Sequence, residues 1–187
     1  GSAIAQACPT GTFSEAQGLV SEQQCSTCPA GSSCSIGVLN HSLCSPGQVQ
    51  PQPGEGACDY CAAGRYQDAP GQTVCSACTT PGVYCLAGAS APLPCPAGTH
   101  KNASLDVMTD PSQCVTCEAG TWCSVGSAVA TPCAAGTVNP EPRQAECASC
   151  AAGTYQYEQG ETACFGCTAG NYCPAGSSAE LPCLAGS

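Results

Sequence analysis

Apolar residues along this chain follow neither the 3.6-residue spacing of an amphipathic helix nor the sustained alternation of a long strand. No window of helix length shows a helical period. What alternation exists lasts only a few positions. GRYQDAPGQTVC (64–75) and GTYQYEQGETAC (153–164) each start at a Gly and end at a Cys, and read as short hairpins between turns. The pattern predicts a series of small β-hairpins and turns with little helix.

The same economy shows in the apolar content. Leu, Ile, Val and Phe supply 22 of the 187 residues, about 12%, below the ~20% with which a chain usually builds a packed core. The 43% hydrophobic fraction is carried by Ala and by 21 Cys. A Cys content above ~8–10% marks a disulfide scaffold. Cross-links then offset the ordering entropy that burial cannot, as in small secreted domains, and place the chain outside a reducing cytosol.

Cys spacing adds organisation. Positions 25, 28, 34, 44, 58, 61, 75 and 78 recur 89 residues later at 114, 117, 123, 133, 147, 150, 164 and 167, and Cys85 and Cys95 recur at Cys173 and Cys183. The chain is therefore two copies of a super-repeat, residues 1–94 and 95–187, each built of smaller Cys-bounded modules. Fourteen Cys begin C-x-x-G, but the first Cys of a C-x-x-C pair never does. One Cys of each pair closes a loop and the next opens another. The Gly supplies a positive-φ turn directly after the staple. Pairing each opener with the next closer predicts Cys8–Cys25, Cys28–Cys34, Cys44–Cys58, Cys61–Cys75, Cys78–Cys85, Cys95–Cys114, Cys117–Cys123, Cys133–Cys147, Cys150–Cys164 and Cys167–Cys173. An interlaced alternative, Cys28–Cys44 with Cys34–Cys58, stays open at this level. Cys183 is unpaired; its expected partner lies about 13 residues further on by the repeat, so the sequence reads as a portion of a longer secreted chain. Local bridges make each module touch its neighbours, which predicts a linear rod. Phe13, Tyr66 and Tyr155, and Tyr84, Trp122 and Tyr172, recur at two fixed module positions and are expected to pack on the adjacent disulfides.

Charge narrows the partners. Three basic residues stand against 13 acidic ones, a net charge of −10. Phosphate neutralisation needs clustered Lys and Arg, so nucleic acid, heparin-like polymers and anionic membranes are poor partners. No apolar run approaches the ~18–20 residues of a membrane span, so no direct membrane insertion is expected. Zinc sites built from C-x-x-C come as spaced pairs or with His, and only His41 and His100 exist; no metal or cofactor is expected. A thioredoxin-like pair would need a βαβ frame. Asp106 and Asp110 are the nearest carboxylate pair but lack a partner base and a calcium-loop pattern. No enzyme is expected. Asn40-His41-Ser42 and Asn102-Ala103-Ser104 fit the N-glycosylation sequon.

The phrases CPTGTF…CSTCPAGSSC, CAAGRY…CSACTTPGVYC and CAAGTY…CFGCTAGNYC resemble the ephrin-receptor-like and growth-factor-receptor-like cysteine-rich repeats of secreted proteins. With the added CPAGSSAELPCLAG segment (173–186) the chain is similar to the mastigoneme proteins, which build the hairs of algal flagella. That resemblance implies a glycosylated extracellular fibre that associates with copies of itself. In an algal source it also makes Pro92, Pro94, Pro132 and Pro182 candidates for hydroxylation and O-glycans. The expected function is a structural filament subunit. One rival is a ligand-binding receptor ectodomain, which should show one irregular, aromatic-rich module; the two copies look too alike to single one out. Another is a C-x-x-C-rich protist surface antigen.

Overall fold

The computed structural model describes residues 6–183. It contains ten two-stranded antiparallel sheets, each a hairpin of two-residue strands, and two single-turn 3-10 helices, Glu22–Gln24 and Pro111–Gln113. Among the described residues there is no α-helix. The chain divides into two compact units, residues 6–78 with Tyr84–Leu93, and Thr79–Val83 with residues 94–183.

In the first unit hairpins 1 to 4 are Thr12–Phe13 with Ser26–Thr27, Ser32–Ser33 with Ser42–Leu43, Gln48–Val49 with Asp59–Tyr60, and Arg65–Tyr66 with Ser76–Ala77. Hairpin 5, Val83–Tyr84 with Leu93–Pro94, falls where the units divide. In the second unit hairpins 6 to 10 are Thr99–His100 with Val115–Thr116, Thr121–Trp122 with Thr131–Pro132, Thr137–Val138 with Ala148–Ser149, Thr154–Tyr155 with Phe165–Gly166, and Asn171–Tyr172 with Leu181–Pro182. The first strand of each begins just after a C-x-x-G turn, or C-x-x-x-G in hairpin 5, and the second ends at the residue before the next opening Cys.

Ten disulfides close these loops: Cys8–Cys25, Cys28–Cys34, Cys44–Cys58, Cys61–Cys75 and Cys78–Cys85, then Cys95–Cys114, Cys117–Cys123, Cys133–Cys147, Cys150–Cys164 and Cys167–Cys173. The interlaced arrangement does not occur. Cys183 is unbonded and exposed among the described residues.

The core is made of cystine. Of 18 buried apolar residues among those described, 14 are bridged Cys; the others are Leu19, Val49, Met108 and Val138. Leu19 and Met108 hold equivalent places 89 residues apart, each just ahead of a 3-10 turn capped by Ser21 or Asp110. None of the recurring aromatics is buried: Phe13, Tyr66, Tyr84, Trp122 and Tyr155 are half-buried and Tyr172 is exposed. Strand alternation gives the reason. The residue three past the turn Gly faces inward, so the aromatic two past it faces out. The inward seat holds a Cys in the short loops (Cys34, Cys85, Cys123, Cys173), Gln50, Gln67, Asn139 or Gln156 in four long ones, and Ser14 and a half-buried Lys101 in hairpins 1 and 6.

Candidate functional site: the inter-module ladder

One set of four backbone hydrogen bonds recurs wherever hairpins meet within a unit. Between hairpins 8 and 9, Gly160 N–H donates to the Cys133 carbonyl (2.8 Å) and Asn139 N–H to the Glu161 carbonyl (3.2 Å). Gly136 N–H donates to the Gln156 carbonyl (2.7 Å), and Cys150 N–H to the Gly136 carbonyl (2.9 Å). The same four positions bond at the other three junctions of hairpins 6 to 10 and at the four junctions of hairpins 1 to 5. Between hairpins 1 and 2, for example, the donors are Gly37, Ser14, Gly11 and Cys28 and the acceptors Cys8, Val38, Cys34 and Gly11. Cys183 occupies the same donor seat, its N–H on the Gly170 carbonyl (2.9 Å). At these eight junctions the turn glycine's N–H thus finds its partner in the next module rather than in its own.

The turn glycine is required twice over. Gly120 has φ +80°, a left-handed region that Gly enters without penalty. Its Cα also faces the carbonyl of Gly160, two modules on, so closely that a Cβ there would overlap that oxygen. The relation repeats for Gly11 with Gly54, Gly31 with Gly71, Gly47 with Gly88, Gly82 with Gly126 and Gly136 with Gly176. At these positions a module therefore seats the second one along as well as the next.

Hairpin 8 departs from the rule at one point. Its loop reads PEPRQAEC, and Arg143 takes the seat held elsewhere by Gly, with φ +65°; among the described residues it is the only non-glycine at positive φ. Its N–H still donates to the Cys117 carbonyl (2.7 Å), and Pro142 presets the turn as Pro does in QPG and APG. The left-handed conformation costs a side-chain-bearing residue about 1–2 kcal/mol. Part of that returns as the greater chain entropy of Gly. Arg143→Gly is therefore expected to stabilise the second unit by about 1 kcal/mol, measured as slower amide exchange in hairpins 6 to 8.

The buried glutamines tie the loops of hairpins 3, 4 and 9 to themselves. Gln156 is fully buried; its side-chain amide donates to the Ala163 carbonyl (2.8 Å) and accepts from Glu158 N–H (3.0 Å). Gln50 and Gln67 make the same pair of bonds. The recurring Gln three residues after a turn Gly in GRYQ and GTYQ was visible in the sequence, but only the inward seat reveals its use. Gln156→Ala removes both of these bonds from a fully buried side chain and is expected to cost about 1–3 kcal/mol, read as faster exchange across residues 156–164.

The two sequons lie apart from this ladder. Asn40 is exposed, its side-chain oxygen accepting from His41 N–H (2.8 Å); Asn102 is half-buried and accepts from Ser104 N–H (3.0 Å). Pro94, Pro132 and Pro182 are exposed and Pro92 is half-buried. Pro94 and Pro132 also cover the loop glycines Gly126 and Gly160. Asp106 is exposed, whereas Asp110 caps a 3-10 turn, and the hydrogen bond from Ser112 holds its carboxyl below the usual 3.8. Among the described residues no group of three His, Cys, Asp or Glu is placed to hold a metal ion, and no helix is long and apolar enough to cross a membrane.

Glu180 is the busiest carboxylate. It accepts from Thr168 N–H (2.6 Å), the Thr168 hydroxyl (2.9 Å) and the Asn171 amide (2.8 Å). The Thr168 N–H contributes most to holding its carboxyl below the usual 4.5. A carboxylate with a lowered folded value stabilises above its ordinary range, and that contribution is lost as pH falls through the lowered value. Acidification is therefore expected to loosen the 174–182 loop while hairpin 9 stays protected; Glu180→Gln should flatten this dependence in an amide-exchange titration.

No family model matches the chain, and no curated protein matches it. The ten disulfides are those of a secreted or extracellular protein.

Proposed function

We propose that this chain is a structural subunit of an extracellular glycoprotein filament, of the mastigoneme kind that its repeats resemble, at a cell or flagellar surface. The observation that carries this reading is the eightfold recurrence of the same four-bond junction. A junction that uses only backbone groups and glycine seats repeats without reference to any ligand. Ten local disulfides resist extension and proteolysis, and the net charge of −10 with glycans at Asn40 and Asn102 keeps the surface hydrated. The working partners are copies of the same protein, and the mechanism is mechanical rather than catalytic.

Electron microscopy of the native material tests this directly. Long fibres with an axial period commensurate with the 89-residue repeat are expected. Short particles that stay monomeric at high concentration would overturn the filament reading.

One observation favours the receptor alternative. The two super-repeats are not alike in hairpin 9, where Tyr155, Tyr157 and Phe165 cluster at the surface; the equivalent residues of hairpin 4 are Tyr66, Asp68 and Ser76. A single aromatic-rich module is what a ligand-binding ectodomain should show, and the near-identity of the Cys spacing hid it.

A further inference from the structure

We propose that the aromatic cluster of hairpin 9 is a docking surface for a cationic segment, bearing Arg or Lys, of a partner chain. This goes beyond the filament reading, which needs no such surface.

The three rings form one exposed patch. Tyr155 and Phe165 are cross-strand partners with ring centroids 6.0 Å apart, and Tyr157 stacks on Phe165 at 5.8 Å and 20°. Tyr157 is 57% and Phe165 50% exposed. The patch does no structural work that the fold requires. Hairpin 4 has the same disulfide, the same buried Gln and the same ladder with Asp68 and Ser76 in place of two of the rings.

Charge selects the occupant. The loop joining the strands of hairpin 9 carries Glu158, exposed, and Glu161, half-buried; beyond Arg143 the chain has no Lys or Arg at all. Ring faces are negative, so aromatic rings beside carboxylates attract cations and repel anions. The charge of −10 adds long-range attraction for a basic partner.

Titration of the whole chain with a peptide of alternating Arg and Gly, followed by the ring resonances of Tyr157 and Phe165, tests the proposal. Saturable binding that weakens with salt is expected. At ~2- to 5-fold per exposed ring, Tyr157→Ser with Phe165→Ser should weaken it about 4- to 25-fold. Glu158→Gln with Glu161→Gln should weaken it and reduce the salt dependence. Folding of each variant is checked by retention of amide protection at Gly136 and Cys150. Tyr157→Ser alone, at an exposed loop residue, gives an independent reading if the double variant loses that protection. Absence of binding to the wild-type chain, equal binding by the ring variants, or binding as tight of an alternating Glu-Gly peptide or a neutral cello-oligosaccharide would overturn it.

Discussion

Reduced with excess thiol in the absence of denaturant, the protein is expected to lose its folded structure throughout rather than relax into a looser version of it. The interior dictates this. Fourteen of the 18 buried apolar residues are half-cystines, so reduction removes the cross-links and turns the core into unlinked thiols. Four aliphatic side chains remain buried, at about 1.5–3 kcal/mol each, against an ordering cost of about 1–2 kcal/mol for every residue. Each 14-residue bridge such as Cys133–Cys147 contributes about 3 kcal/mol, chiefly through the unfolded state. Removing that one bridge with Cys133→Ser and Cys147→Ser should therefore expose hairpins 7 to 9 to exchange while hairpins 1 to 4 keep their protection. Amide exchange after stepwise reduction reads both effects. Protected ladder amides in the fully reduced, alkylated chain would refute the cystine-core account.

The second large effect separates two kinds of glycine. Gly18 and Gly120 have nearly the same backbone, φ +71° and +80°, yet a Cβ at Gly18 meets nothing within 4 Å. At Gly120 it collides with the Gly160 carbonyl. Gly18→Ala should cost only the left-handed conformation, about 1–2 kcal/mol. Gly120→Ala must also push back the Gly160 loop, straining the bonds of Gly160 N–H to Cys133 and of Asn139 N–H to Glu161. Each such buried bond is worth about 1 kcal/mol, and more if left unpaired, so the total is expected at about 3–4 kcal/mol. The extra loss should appear at Gly160 and Asn139, some 20 to 40 residues from the substitution. Equal losses for the two variants would mean that the two-module contact is not close-packed in solution.

This contrast marks the reach of the sequence. That Gly120 needs a positive φ follows from C-x-x-G, because a local turn leaves a local signature. That its Cα must also stay bare comes from a carbonyl two modules away, and no residue near Gly120 announces it. The hairpins in GRYQDAPGQTVC and GTYQYEQGETAC were legible from their bounding turns. The outward facing of their tyrosines was not, because two-residue strands give too short an alternation to assign a buried face. Arg143 shows the same limit. Alignment with Gly54, Gly71 and Gly160 reveals the substitution, and the backbone alone shows that Arg keeps the left-handed seat.

The sequence by itself determined the fold class, the alternation of opening and closing Cys, and the oxidising compartment, since all three follow from composition and from contacts between residues close in the chain. Only the tertiary structure decided where the turn amides bond, why Gln50, Gln67 and Gln156 are buried, and that three rings meet on one hairpin. Those relations join separate strands and modules. Their free energy depends on distance in space, to which spacing along the chain is blind.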